Sequence, residues 1–264
     1  MEAPTIAKIE KATQEADDIR TVFIRHGMEA KPGQFVMLWL PGVNEKPFAI
    51  SYLEKGMLGM TVAAVGEFSR KVYGMKKGEK IGIRGPYGTA YTLEGKKAIM
   101  VGGGYGSASL TLLAEEAKAK GMDVKFILGA RSRSKLVYVD RITKLIGKEN
   151  VFVTTDDGSM GRKGFVTDAL KELLAKDKSA KVHTCGPDKM LKAVAEMCNA
   201  QGVNAEISME RWMKCGFGLC GHCCMDPSGI RVCVEGPVVS AKAAAQLTEL
   251  GAYHRVKSSR KEKL

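Results

Sequence analysis

The chain has 264 residues, 45% of them hydrophobic and 27% charged, with 30 glycines and 8 prolines. That length suits two domains, or two plus a small module, and the composition excludes a fibrous repeat or a largely disordered chain. The formal charge of +12 could suggest nucleic acid, but the lysines are scattered and no aromatic residues interleave with them, so a lysine-rich solvated surface with a frayed basic tail, "RVKSSRKEKL", is expected instead.

The N-terminal stretch "MEAPTIAKIEKATQEADD" lacks the apolar centre of a signal peptide. No window offers about 18 uninterrupted apolar residues, so a cytoplasmic protein with no membrane and no nucleic-acid partner is expected. Residues 5–95 read as short strands punctuated by glycine and proline: "TIAKIEKATQ", "IRTVFIRH", "GQFVMLWLP", "KPFAISYLE", "LGMTVAAVG" and "EKIGIRGPYG". Such spacing points to an antiparallel barrel or sandwich, with weak helical periodicity.

From about residue 96 strands and helices alternate. "KAIMVGGG", "DVKFILGAR", "NVFVTTDDG" and "KVHTCGP" are strands; "SASLTLLAEEAKAKG", "KLVYVDRITKLI", "FVTDALKELLAK" and "PDKMLKAVAEMCNAQG" are helices. That alternation predicts a parallel sheet with right-handed crossovers. "SAKAAAQLTELGAYH" is expected to form a closing helix. The division predicted is 1–95, a β-barrel; 96–205, an α/β domain; and 206–264, a cysteine module with the basic tail.

The glycine loop "VGGGYGSAS" lies between a predicted strand and a predicted helix, where Gly102, Gly103, Gly104 and Gly106 permit close approach of a ligand and the helix start favours a pyrophosphate. "TTDDGSMG", with Asp156 and Asp157, and "CGP", Cys185, Gly186 and Pro187, also follow strands, at the edge where ligands bind in open parallel sheets. Asp156 and Cys185 are candidates for ribose or nicotinamide contact, with turn capping and plain burial as the alternatives. Arg131, Ser132 and Arg133 could pair with a 2′-phosphate or be solvated, leaving NAD versus NADP open.

Five of the seven cysteines fall in "KCGFGLCGHCCMDPSGIRVCVEGP". In a reducing compartment this cluster implies metal or catalysis rather than disulfides. Cys215, Cys220, Cys223 and Cys233 are spaced C-x4-C-x2-C-x9-C, the order of plant-type [2Fe-2S] sites, whereas a zinc site would pair two short hooks and only one is present. Gly216, Gly218 and Gly221 let the backbone wrap closely and aim N–H groups at sulfides. Cys224 is expected to be a packed bystander and His222 a surface or outer-layer residue.

Barrel, glycine-loop nucleotide domain with a late "CGP", and C-terminal cysteine spacing, in that order, resemble the ferredoxin-reductase superfamily, and within it the iron–sulfur electron-transfer subunits of NAD-linked dihydroorotate dehydrogenases. The resemblance implies FAD on the barrel, with an R-x-[YF]-[ST] segment along the isoalloxazine and a G-x-x-[ST] segment at the pyrophosphate. "KPFAIS" is similar to the first: Lys46 stands for arginine, followed by Pro47, Phe48 and Ala49, where the hydroxyl is missing and Ser51 or backbone would have to reach N5. "GEFS" is similar to the second, with Gly66, Phe68 and Ser69 after the strand residues Val62, Ala63 and Ala64.

NAD(H) or NADP(H) exchanges electrons in pairs and a cluster carries one, so a flavin between them reconciles the two. No acid–base pair for substrate chemistry is evident, since His183 and His254 stand alone, and no catalytic residue is assigned. The resemblance implies that dihydroorotate oxidation belongs to an FMN-containing catalytic partner in a heterotetramer, with this chain passing electrons through [2Fe-2S] and FAD to NAD+ in pyrimidine synthesis. A flavin/iron–sulfur subunit of an NAD(P)-linked hydrogenase or of a ferredoxin:NADP oxidoreductase is the alternative, and a zinc-binding nucleic-acid regulator a remote one.

Overall fold

The computed structural model describes residues 3–54 and 56–264. Strands β1 (Thr5–Ala16), β2 (Ile19–Arg25), β3 (Phe35–Leu40), β4 (Asn44–Glu54) and β5 (Met57–Ala63) are followed by helix α1 (Glu67–Gly74) and strand β6 (Lys80–Tyr87). The six strands pair antiparallel in the order β1-β2-β5-β4-β3-β6 and close into a barrel. Alternation decides which side chains fill it: Ile9, Val22, Ile24, Val36, Leu38, Ile50, Leu58, Met60, Val62, Ile81 and Ile83 are all buried inside. Each contributes about 1.5–3 kcal/mol on leaving water. Helix α1 departs from the sequence-based expectation of strands only. Phe68 and Val72, one turn apart, seat it on the barrel core, and two buried residues in so short a segment are too few to mark a helical period.

The second unit runs β7 (Lys97–Gly103), α2 (Ser107–Ala119), β8 (Asp123–Ala130), α3 (Val139–Ile146), β9 (Val151–Thr155), β10 (Arg162–Lys163), α4 (Val166–Lys176), β11 (Lys181–Cys185), α5 (Asp188–Ala200) and β12 (Ala205–Ser208). The cysteine segment follows, holding the short hairpin β13 (Cys224–Met225) and β14 (Ile230–Arg231), and the chain then returns as β15 (Val238–Ser240). The sheet order is β10-β9-β8-β7-β11-β12-β15, parallel except for β15. Helices cover both faces. Ala98 and Met100 of β7 meet Leu110, Leu113 and Ile142 on one side, whereas Ile99 and Val101 join the cluster of Leu170, Leu174, Leu191 and Val194 on the other. Because β12 and β15 are neighbours, the cysteine segment is an excursion from the sheet rather than an appended tail.

Three expectations are corrected. The helix expected over residues 135–146 starts only at Val139, because Tyr138 takes φ +63° and turns towards the barrel. The closing helix stops as α6 (Ala241–Ala245), after which Leu247, Glu249 and Leu250 are drawn inward by turns. The frayed tail is instead a hairpin, β16 (Tyr253–Arg255) with β17 (Lys261–Lys263). Tyr253, Arg255 and Lys261 all reach the Asp226 carboxylate, at 2.7, 2.7 and 2.9 Å.

Tyr138 ties the units together. Its hydroxyl lies 2.5 Å from Thr21 Oγ1 and 2.7 Å from Thr61 Oγ1, and Thr61 is 2.8 Å from Ser51 Oγ. Ser51 and Thr21 are buried, so deleting the Tyr138 hydroxyl takes two hydrogen bonds out of a largely buried network and leaves Thr21 its bond to Thr61, at 3.1 Å. Tyr138→Phe is therefore expected to destabilise the protein by about 1–3 kcal/mol, read as a lower urea midpoint at an unchanged slope.

Candidate functional site

Strands β9, β8, β7 and β11 are adjacent and parallel, so the segments after them meet at one edge. This gathers Asp156, Arg131, Gly102 to Gly106 and Cys185 to Pro187. The glycines divide by role. A Cβ on Gly103 would lie 2.6 Å from the Met190 sulfur and 2.8 Å from Pro187, and one on Gly106 2.8 Å from the Cys185 carbonyl. One on Gly186 would come within 3.0 Å of the Gly103 backbone, and one on Gly102 would collide with Ser107. These glycines let two loops of the protein pack on each other; of the four in the glycine loop, Gly104 alone has open space around it, at φ +55°. No side chain caps the start of α2, whose N–H groups offer an anion site beside that opening.

Tyr105, exposed next to Gly104, donates to Glu210 at 3.0 Å across the crevice. Partial desolvation by the surrounding protein raises the Glu210 carboxyl, on a side chain that stays solvent-exposed, above the usual carboxylate range. Burial likewise pushes the Cys185 thiol up to about 11, so it is a neutral S–H at physiological pH. Asp157 takes the turn-capping role, accepting from Ser159 N at 2.9 Å and Ser159 Oγ at 2.6 Å, while Asp156 and Arg131 are exposed. His183 is a core residue: its Nε2 is 3.0 Å from the Thr92 carbonyl and burial lowers its pKa. His254 is half-buried in β16.

On the barrel, Lys46, Pro47 and Phe48 are half-buried and Ala49 is exposed. Phe48 faces Phe68 with ring centroids 6.0 Å apart. Val62 is buried and Ala63 and Ala64 half-buried where β5 runs into Gly66. Gly66 N donates to Ser69 Oγ at 2.9 Å, closing the start of α1 without a side-chain cap on its first N–H groups. A small exposed residue at Ala49 and a free helix start at Gly66 fit a planar ring with a phosphate tail. Ser51 does not stand in for the hydroxyl that Ala49 lacks: it is buried and engaged with Thr61 and, at 3.2 Å, the Gly59 carbonyl.

Within the cysteine loop the four expected ligands fall into two local pairs, Cys223 with Cys233 and Cys215 with Cys220. The Cys223 and Cys233 sulfurs are 3.3 Å apart, and Cys220 N donates to the Cys215 sulfur at 3.4 Å. Gly218 N donates to the Cys233 sulfur at 3.1 Å. Gly216, Gly218 and Gly221 have φ of +80°, +87° and +66°, the curl that points N–H groups inward. The Cys233 thiol beside it, against the opposing effect of burial, brings Cys223 down to about 6, and Cys233 rises correspondingly. Burial would raise Cys215, but the N–H groups of Cys220, Phe217 and Leu219 outweigh it and bring the thiol to about 7. Two pairs of soft sulfurs, with Cys215 in one and Cys223 in the other drawn towards the thiolate, suit a two-metal unit with two thiolates on each metal. Cys224 pairs with Arg231 across β13 and β14, and burial raises its thiol. His222 is buried, contrary to a surface place, with Nδ1 3.1 Å from Ser259 Oγ in the tail hairpin.

Residues 210–244 match the iron–sulfur cluster binding domain of dihydroorotate dehydrogenase B, and residues 100–196 match the oxidoreductase NAD-binding domain. A probable dihydroorotate dehydrogenase B (NAD(+)) electron transfer subunit of Methanocaldococcus jannaschii is 42% identical over 261 residues, covering 99% of both chains. The chain belongs to this family of electron transfer subunits. A second member, from Methanothermobacter thermautotrophicus, is 38% identical over 99% of this chain and 98% of its own. The solved NADH-dependent reduced ferredoxin-NADP oxidoreductase, a flavin-based bifurcating enzyme, superposes with a TM-score of 0.83 at 30% identity, covering 95% of this chain and 93% of that one. Phthalate dioxygenase reductase shares the fold, with a TM-score of 0.63 at 18% identity over 74% of this chain and 64% of its own. The family is an oxidoreductase component, and its members' name implies a catalytic dihydroorotate dehydrogenase B partner. Among the described residues no helix is long and apolar enough to cross a membrane.

Several site residues escaped sequence reading. Trp212, three residues before Cys215, holds the Lys46 ammonium 3.0 Å from its ring centroid, and burial, then Lys257 and Lys214, push that lysine down to about 8. Tyr105 and Glu210 are far apart in sequence and carried no motif. Phe35 and Met37 point out of the barrel into the cluster that contains Cys223 and Cys233, and a Cβ on Gly216 would lie 2.7 Å from Met37. A methyl group at Gly106 would meet backbone, which cannot step aside, whereas one at Gly104 meets only the left-handed φ. Gly106→Ala should cost about 1–3 kcal/mol and most of the nucleotide affinity; Gly104→Ala should cost about 1–2 kcal/mol. Thermal unfolding and NADH titration of the two variants check the order.

Proposed function

We propose that the chain is the electron-transfer half of an NAD-linked dihydroorotate dehydrogenase of the cytoplasm, handing electrons from an FMN-containing catalytic partner to NAD+ in de novo pyrimidine (UMP) biosynthesis. The labour is divided among three units, namely a flavin-holding barrel over 1–95, a nucleotide-binding sheet over 96–205, and a cysteine module over 206–264 that lends β12 and β15 to the sheet. When bound, FAD would supply the exchange between paired and single electrons and a [2Fe-2S] cluster a one-electron relay.

Cys215, Cys220, Cys223 and Cys233 hold the cluster, and the N–H of Gly218 neutralises charge on its sulfur ligands. Lys46 to Ala49, with Val62 to Ala64, Gly66, Phe68 and Ser69, form the flavin strip. Gly102 to Gly106, Cys185 to Pro187, Arg131 and Asp156 form the nicotinamide nucleotide crevice, where the neutral Cys185 thiol and the apolar edge of Pro187 exclude water from the nicotinamide. The observation that carries the reading is the seating of the cysteine loop on β3 and β6, of which β3 pairs directly with β4 and its Lys46 to Ala49 segment. Leu219 and Cys220 are exposed on the outer side of that loop, the face for the partner, and the assembly is two catalytic with two electron-transfer subunits.

Anaerobic purification of the native complex, with mass spectrometry of partner and flavins, tests this. An FMN-bearing dihydroorotate dehydrogenase should co-purify with FAD, iron and sulfide, and the complex should reduce NAD+ with dihydroorotate while this chain by itself does not oxidise dihydroorotate. A hydrogenase or a large glutamate-synthase-like flavoprotein in the partner's place overturns the pathway. A preference for NADPH of more than about tenfold, ~1.4 kcal/mol, overturns the NAD assignment.

A further inference from the structure

We propose that Arg84, locked to Glu45, fixes the cysteine loop against the barrel and raises the reduction potential of the cluster held by that loop; this rests on the reading above that the four cysteines ligate a [2Fe-2S] cluster. Arg84 stands on β6 and is 7% exposed. Its Nε and Nη2 each approach a Glu45 carboxylate oxygen at 2.6 Å, a two-pronged pair, and Nη2 also donates to the Cys215 carbonyl at 2.5 Å. The guanidinium carbon lies 5.2 Å from the Phe217 ring centroid, and Nη1 reaches the Tyr87 hydroxyl at 3.4 Å. One side chain therefore grips the residue immediately before Lys46 and the backbone of the first cysteine.

The pair sits where an apolar contact could serve packing as well. Phe35 and Met37 beside it already supply apolar cover, and a desolvated ion pair is often no more stable than hydrophobic residues of the same volume. What the pair adds is a fixed dipole whose cationic end is hydrogen-bonded to the Cys215 carbonyl and whose anionic end is the Glu45 carboxylate. Reduction of the cluster adds one negative charge, and a guanidinium that cannot lose its proton stabilises that charge at low dielectric. The two-pronged geometry also holds the loop in one place, which a lysine, as a point charge, would do less well.

The test uses the assembled complex carrying Arg84→Met, Glu45→Gln or Arg84→Lys, with the cluster midpoint read by EPR-monitored redox titration, and iron and flavin contents measured alongside. Arg84→Met should shift the one-electron equilibrium at least tenfold towards the oxidised cluster, about 59 mV lower, since the cationic end is gone whether or not Glu45 then takes up a proton. Glu45→Gln, which bares the guanidinium, should shift it the opposite way. Arg84→Lys keeps the charge and loses the grip, so the potential should stay near wild type while the reduced-cluster signal appears severalfold more slowly after NADH is added. If Arg84→Met fails to assemble, the other two variants carry the test. Unchanged potentials, or shifts of one sign in Arg84→Met and Glu45→Gln, overturn the inference. A wild-type complex with no [2Fe-2S] signal overturns the reading beneath it, an outcome visible before any variant is made.

Discussion

The position of the cysteine loop is set at its base. The chain leaves the sheet after β12 and re-enters it as β15, with Ser208 opposite Val238 and Met209 N donating to the Pro237 carbonyl at 2.9 Å. The segment joining barrel to sheet is tied to the same spot: Thr89 N donates to the Gly236 carbonyl at 2.6 Å and Thr89 Oγ1 to the Val238 carbonyl at 2.8 Å. Barrel, sheet and loop thus share one hydrogen-bonded junction. A module on a flexible linker would sample many distances to the barrel, whereas a loop pinned at both ends has one, and the contacts of Met37, Lys46 and Arg84 with it can form without a further loss of chain entropy.

The sequence made the large elements plain because each rests on a repeating signal. Short strands regularly spaced by glycine and proline marked the barrel, the switch to strand and helix marked the sheet, and four cysteines at fixed intervals marked the loop. The elements missed lacked such a repeat. Helix α1 is anchored by Phe68 and Val72, the second unit's α3 is shortened by a single left-handed tyrosine, and the basic tail is folded by ion pairs to one aspartate, Asp226. Pairwise contacts between distant residues leave no periodic trace.

Residue roles were less legible than residue places. The glycines after β7 were expected for close approach of a ligand, yet Gly103 and Gly106 are glycine because another loop of the protein lies against them. Ser51 shares the strand of Ala49 but its hydroxyl belongs to the seam with Tyr138. Arg84 looks in sequence like an ordinary solvent-facing charge on a barrel strand; nothing local reveals that the cysteine loop, 131 residues further on, covers it. Alternation predicts which way a side chain points and is silent on what arrives to meet it.

The thiols divide into two populations by environment. Cys215 and Cys223 sit among N–H donors and a neighbouring thiol and ionise near neutrality, while Cys185, in the nucleotide crevice, is held protonated by burial. Since the thiolate is the form that peroxide attacks, oxidative damage should start in the cysteine loop, where Cys215 is half-buried and Cys220 exposed, and spare the crevice. A protein damaged by air would then keep its capacity to recognise a nucleotide after it had lost its capacity to pass electrons onward.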